Sequence, residues 1–189
     1  MWLGLVSIAA HAGGLQTQLD RPRPVAGHAV FELRLGVDGV VSGDQELRPY
    51  VCGELSPFKR VGIEACGNGS GVLHQSDGPD VAHFRLRAAA LEFEEGRTHG
   101  MVLVGTGFTE VQRSADRPGF RFGNAGEDQV EAAGPEASVG IKGRYWVSPH
   151  SHIAVDVVAG TAYIPGAPTV MNWASPWVPF VSLSTGIGF

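Results

Sequence analysis

At 189 residues the chain is long enough for one domain and cramped for two. Its apolar content of 43% is ordinary, and no run of eighteen apolar residues occurs, which excludes a conventional membrane-spanning helix. Strands remain open, because a spanning strand offers lipid only every second residue. A formal charge of -5 with scattered basic residues argues against nucleic acid as a partner, and 27 Gly with 12 Pro favour strands and turns over long helices.

At the N-terminus, Leu3 to Ala10 form a short apolar core and Ala10-His11-Ala12 makes an A-x-A cleavage motif, but no Lys or Arg precedes them. Residues 1–12 therefore read as a signal peptide lacking its basic region, with an ordinary apolar segment as the alternative. Residues 13–27, with Arg21-Pro22-Arg23-Pro24, read as a flexible lead-in to a domain over 28–189.

Period-2 patterning then predicts eight strands: His28 to Gly36, Arg48 to Leu55, Arg60 to Gly67, Val81 to Glu94, Thr98 to Gln112, Pro135 to Val147, Ser151 to Ile164 and Trp177 to Phe189. Their connections alternate. Val37 to Leu47, Asn68 to Asp80, Arg113 to Gly134 and Pro165 to Pro176 are long, whereas Ser56 to Lys59, Glu95 to Arg97 and Ser148 to His150 are short. All long loops thus fall at one end of the sheet and all tight turns at the other.

Side-chain direction supplies an independent check. The first strand puts Ala29, Phe31, Leu33 and Leu35 opposite Glu32 and Arg34; the sixth puts Val139, Ile141, Tyr145 and Val147 opposite Ser138, Lys142, Arg144 and Trp146. The seventh sets Ile153, Val155, Val157, Ala159, Thr161 and Tyr163 against His152, Ala154, Asp156 and Val158. The fourth strand breaks the pattern, since Leu91 and Phe93 fall on the face of Arg85 and Arg87. Either a bulge lies near Ala88 to Ala90 or Glu92 sits at headgroup level.

The last strand alternates Trp177, Pro179, Val181, Leu183, Thr185, Ile187 and Phe189 against Val178, Phe180, Ser182, Ser184, Gly186 and Gly188, and the chain stops on an aromatic residue. With the loop rule, this resembles the small eight-stranded bacterial outer-membrane β-barrels of the OmpA-transmembrane, OmpX and OmpW class. The resemblance implies an all-β, eight-stranded antiparallel up-and-down transmembrane barrel in the outer membrane. It also implies that Val181, Leu183, Thr185, Ile187 and Phe189 form a C-terminal signal read by barrel-assembly machinery. Outer-membrane lipid would be the solvent of the wall, and an envelope protein could meet the long loops.

An eight-stranded barrel has an interior only wide enough for side chains to fill it. The polar face carries Glu32, Arg34, Glu54, Glu64, Arg85, Arg87, Lys142, Arg144 and Asp156, a nearly neutral set that would interlock as buried ion pairs and plug the lumen. Glu54, Glu64, Arg34, Arg85 and Arg87 are expected in one cluster. A soluble, secreted lipocalin-like barrel binding an apolar ligand is the rival; it would turn the aliphatic faces inward and the charges to water.

Cys52 and Cys66 flank the turn at Lys59, and a regular hairpin sets them opposite each other, as it does Glu54 and Glu64. They are candidates for a disulfide, with a reduced pair of small core residues as the alternative. Chemistry is weakly signalled elsewhere. His74, His83, His99, His150 and His152 lack the spacing of a metal site, so no metal and no cofactor is expected. Ser151 and His152 are adjacent on one strand and point to opposite faces, which spoils a nucleophile and base pair for a lipid-modifying enzyme. Gly67-Asn68-Gly69-Ser70-Gly71 is a turn rather than a phosphate loop, as no Lys-Ser/Thr and no helix follows. The reading is a non-enzymatic barrel with a structural or surface-interaction role.

Overall fold

The computed structural model describes residues 29–40, 48–68, 79–113, 122, 130–171 and 173–189. The expected signal peptide and lead-in, and most of the first three long loops, lie outside the described residues. Eight strands follow one another: β1 (Val30–Val40), β2 (Arg48–Phe58), β3 (Val61–Gly67), β4 (Asp80–Glu95), β5 (Thr98–Gln112), β6 (Glu131–Ser148), β7 (Ser151–Tyr163) and β8 (Trp177–Gly188). Each pairs antiparallel with its neighbour in sequence, and β8 pairs with β1, so the sheet closes. Closure leaves no bare sheet edge, the condition for a sheet to survive in lipid.

The eight expected strands are all present, with shifted ends. β1 begins two residues later than expected and runs on to Val40, and β6 begins four residues earlier, at Glu131. At both places the barrel neighbour holds the backbone, Val40 pairing with Phe180 and Glu131 with Gln112. Alternation at these ends is too weak to show that. The expected break in β4 is a bulge, with register shifting between Ala89 and Leu91. The shift keeps Leu91 and Phe93 on the outer wall and turns Glu92 inward, away from the lipid face.

Short connections are tight turns, as expected. Gly96, with φ of 60°, makes the one between β4 and β5, a conformation a side chain would resist. Pro165 to Pro176, read as a plain loop, contains a helical turn, α1 (Ala167–Val170). Its Ala167 and Val170 are fully buried against Val81, Val111, Ala132, Ala162, Ile164 and Val178. This apolar layer sits across the long-loop end of the interior.

The inside and outside are inverted relative to a soluble barrel. Glu32, Arg34, Glu64, Arg85, Arg87, Lys142 and Asp156 are buried, while Leu35, Ile63, Leu86, Val139, Ile141, Leu183 and Ile187 are exposed. That orientation rules against the lipocalin-like arrangement, in which water would meet the charges. Tight curvature has its own requirement: at Gly36, Gly107, Gly134 and Gly186 an added Cβ would run into a neighbouring strand's backbone, so the wall could not bend as closely there.

Candidate functional site

Among the described residues, buried polar chemistry concentrates in the interior. Period 2 sends Glu32 and Arg34 of β1, Glu54 of β2, Glu64 of β3, Arg85 and Arg87 of β4, Lys142 and Arg144 of β6 and Asp156 of β7 inward, all nine buried. Arg34 pairs with Glu32 and Glu64 and lies 3.0 Å from Glu54 and 3.3 Å from Asp156. Arg87 reaches Glu64 at 2.7 Å and Glu54 at 3.3 Å, and its Nη1 and Nη2 both donate to Asp156. Arg85 joins Glu64 at 2.9 Å. The five-residue cluster expected from the hairpin register is therefore formed. Lys142 extends it, with Nζ donating to Glu54 at 2.5 Å and Glu32 at 2.9 Å. Arg144 Nε donates to Glu32 at 2.5 Å.

Toward the long loops the network continues through residues the sequence reading missed. Glu136 Oε2 lies 2.6 Å from His83 Nδ1, accepts from the Thr109 hydroxyl, and its Oε1 accepts from Arg85 Nε at 2.5 Å. His83 Nε2 is 3.7 Å from Asp38. Phe180 packs on the His83 ring, centroids 4.5 Å apart, and lies under the Arg85 guanidinium at 4.8 Å, a cation–π contact. Cys52 and Cys66 are joined by a disulfide in this layer, beside Tyr50, with Cα atoms 4.1 Å apart. Glu136 has the inward parity of Lys142 and Arg144, and His83 that of Arg85 and Arg87, so parity alone could have found them.

Toward the short turns, His152 Nε2 lies 3.0 Å from Glu32 and its ring packs on Trp146 at 4.5 Å. Gly188 leaves room for it; a Cβ there would overlap the imidazole. At the rim, Glu92 faces Arg60 at 3.4 Å and Lys59 at 3.7 Å, and Lys59 reaches Glu94 at 3.1 Å. The hydrogen bond to Glu94 raises the Lys59 pKa above its ordinary value. A cavity of 10 Å³, about one water, lies among Ser56, Gly62, Met101 and Arg144.

Two groups hold metal-type ligand atoms close together, Cys52 with Glu64 and Cys66, and Glu54 with Glu64 and Asp156. In the first the sulfurs are bonded to each other, and in both the carboxylates accept from arginines. In both groups the carboxylate oxygens already serve guanidinium groups rather than a metal ion. Ser151 and His152 do part: the Ser151 hydroxyl lies 2.7 Å from that of Ser148, while His152 is buried in the lumen.

The outer wall is apolar between two aromatic rows. Phe31, Phe58, Phe93, Tyr145 and Phe189 mark the short-turn end, and Phe84, Phe108, Tyr163 and Trp177 the long-loop end. Phe93 lies across Gly100, whose hydrogen it covers. The expected signal residues Val181, Leu183, Thr185, Ile187 and Phe189 all lie on this wall. An apolar band with aromatic girdles around a charged interior is the surface a bilayer demands. Fold and wall together define a transmembrane β-barrel of the outer-membrane kind.

No family model and no curated protein sequence matches the chain. Solved structures do. Neisserial surface protein A superposes with a TM-score of 0.59 at 9% identity, over 85% of this chain and 95% of that one. OprG from Pseudomonas aeruginosa gives a TM-score of 0.43 at 12% identity over 89% and 98%, and Ail from Yersinia pestis 0.40 at 10% over 85% and 96%. The first of these shows that the chain shares that protein's barrel fold.

Proposed function

We propose that the protein is a non-conducting, non-enzymatic barrel of the bacterial outer membrane, with a structural or surface-interaction role carried by its long loops. The observation that supports this reading is the packing of the interior: ion pairs run from Glu32 to Glu136, and the apolar layer of Ile164, Ala167 and Val170 lies above them. A lumen packed with paired charges leaves no path for a hydrated solute. Fixed ion pairs among strands distant in sequence would also stiffen the cylinder, the property a scaffold for loops needs.

Lipid meets the wall, and the outward face of Val181, Leu183, Thr185, Ile187 and Phe189 is what assembly machinery reads. An envelope protein is the partner class proposed for the loops. The presence of Neisserial surface protein A and the attachment invasion locus protein among similar folds fits a surface role without assigning one.

The test is electrical. Purified protein reconstituted in planar bilayers should give no steady channels, and liposomes containing it should not swell in small sugars. Regular, single-sized conductance steps would overturn the sealed-lumen reading, and recovery of the protein without detergent from a soluble fraction would overturn the membrane reading.

A further inference from the structure

The buried inward charges are divided unevenly along the chain. On β1 to β3 the carboxylates of Glu32, Asp38, Glu54 and Glu64 stand against one guanidinium, Arg34. At the inward-parity positions of β4 to β7 the balance is reversed, with Arg85, Arg87, Lys142 and Arg144 against Glu136 and Asp156; Glu110 and Glu131, also buried, have the outward parity. The two sets meet across the lumen. Lys142 and Arg144 of β6 bind Glu32 of β1 at 2.9 and 2.5 Å, Lys142 also binds Glu54 of β2 at 2.5 Å, and Arg34 of β1 lies 3.3 Å from Asp156 of β7.

These contacts are impossible in an open sheet. Neighbouring strands are about 4.8 Å apart, so in an unrolled sheet β6 lies roughly 24 Å from β1 through the intervening strands. Only when β8 docks on β1 does the sheet curl enough to bring them together. From Ser182 to Gly188 the inward face of β8 is small, Ser182, Ser184, Gly186 and Gly188, so side chains of β1 and β7 reach over that half, as His152 does to Glu32 at 3.0 Å. Among the described residues of β4 to β8 the carboxylate nearest Lys142 is Asp156, its register partner on β7, 3.9 Å away in the closed barrel.

We infer that closure of this barrel is an electrostatic step, in which β6 cations, Lys142 first, capture the carboxylates of β1 and β2 and drive β8 onto β1. Glu64 already meets Arg85 and Arg87 across the β3–β4 pair, whereas Lys142 and Arg144 reach Glu32 and Glu54 only across the lumen. Closure buries these cations, which would be costly without partners, and brings the carboxylates of Glu32 and Glu54 to them in the same step.

The experiment separates seam closure from sheet formation during refolding into lipid vesicles. One protein carries Leu33→Cys and Ile187→Cys, outward register partners across the β1–β8 seam, and another Val102→Cys and Ile141→Cys, partners within the β5–β6 pair. A short thiol cross-linker added at intervals reports each pairing without touching the oxidised Cys52–Cys66 bond. Adding Lys142→Met should lengthen the half-time of the seam link roughly tenfold while leaving the β5–β6 link near its starting rate. Lys142→Glu combined with Glu54→Lys should recover much of the seam rate. Equal slowing of both links, loss of both, or an unchanged seam rate would overturn the proposal. As a second variant, Thr109→Val removes a hydroxyl that serves Glu136 on the same side of the lumen and should not separate the two links.

Discussion

Replacing Glu64 by Gln tests whether the lumen is held by charge rather than by shape. The carboxylate is buried, its Oε1 accepts from Arg85 at 2.9 Å, and its Oε2 accepts from Arg87 at 2.7 Å and from Arg34. Glutamine keeps the volume but removes the charge and turns an NH2 group toward guanidiniums that donate only. Removing one partner of a buried ion pair costs about 3–5 kcal/mol, because the remaining charge stays desolvated. With a urea dependence of about 2 kcal/mol per molar, the unfolding midpoint should fall by roughly 1.5–2.5 M. Equilibrium unfolding in lipid vesicles, read from the mobility of unheated samples, measures it. The control is Lys59→Ala, whose partner Glu94 is exposed and whose effect should lie within error. A Glu64→Gln midpoint within about 0.5 M of wild type would show that the arginines find other acceptors, and the argument from buried charge would fail.

Changing Cys52 and Cys66 together to Ala opens a link across 14 residues of sequence and should cost up to about 3 kcal/mol, read as a lower urea midpoint that reductant no longer alters. Leu183→Arg places a charge on the outer wall between the aromatic rows and should cost about 2–4 kcal/mol, measured as the free energy of folding into bilayers; a soluble barrel would tolerate it. Gly188→Val should displace the His152 ring and break its contact with Glu32, lowering the melting temperature and changing the fluorescence of the adjoining Trp146, whereas Gly143→Ala, at a position with open space, should do neither.

What could be read without coordinates was what a single strand or hairpin decides. Alternation sorted Ile141 from Lys142 and Val155 from Asp156, and it also exposed the irregularity that became the bulge at Ala89 and Leu91. A two-strand register placed Cys52 opposite Cys66 and Glu54 opposite Glu64, because a tight turn leaves one pairing open. Strand ends were less legible: at Val40 and Glu131 the backbone is held by a partner strand, and nothing in the local pattern reports that.

The amino-acid sequence by itself determined the alternating faces, the rule of long and short connections, and so the class of fold. Beyond the cluster of Glu54, Glu64, Arg34, Arg85 and Arg87, tertiary structure alone decided which charges meet. Lys142 finds Glu32, 110 residues away in sequence, and His83 finds Glu136, 53 away, because the curved, closed sheet brings non-adjacent strands within a side chain's reach. It also decided that α1 covers the interior with Ala167 and Val170, short residues that carry no periodic signal. The physical reason is distance: hairpin pairing is set within a few residues, whereas contact across a lumen depends on the curvature of all eight strands at once.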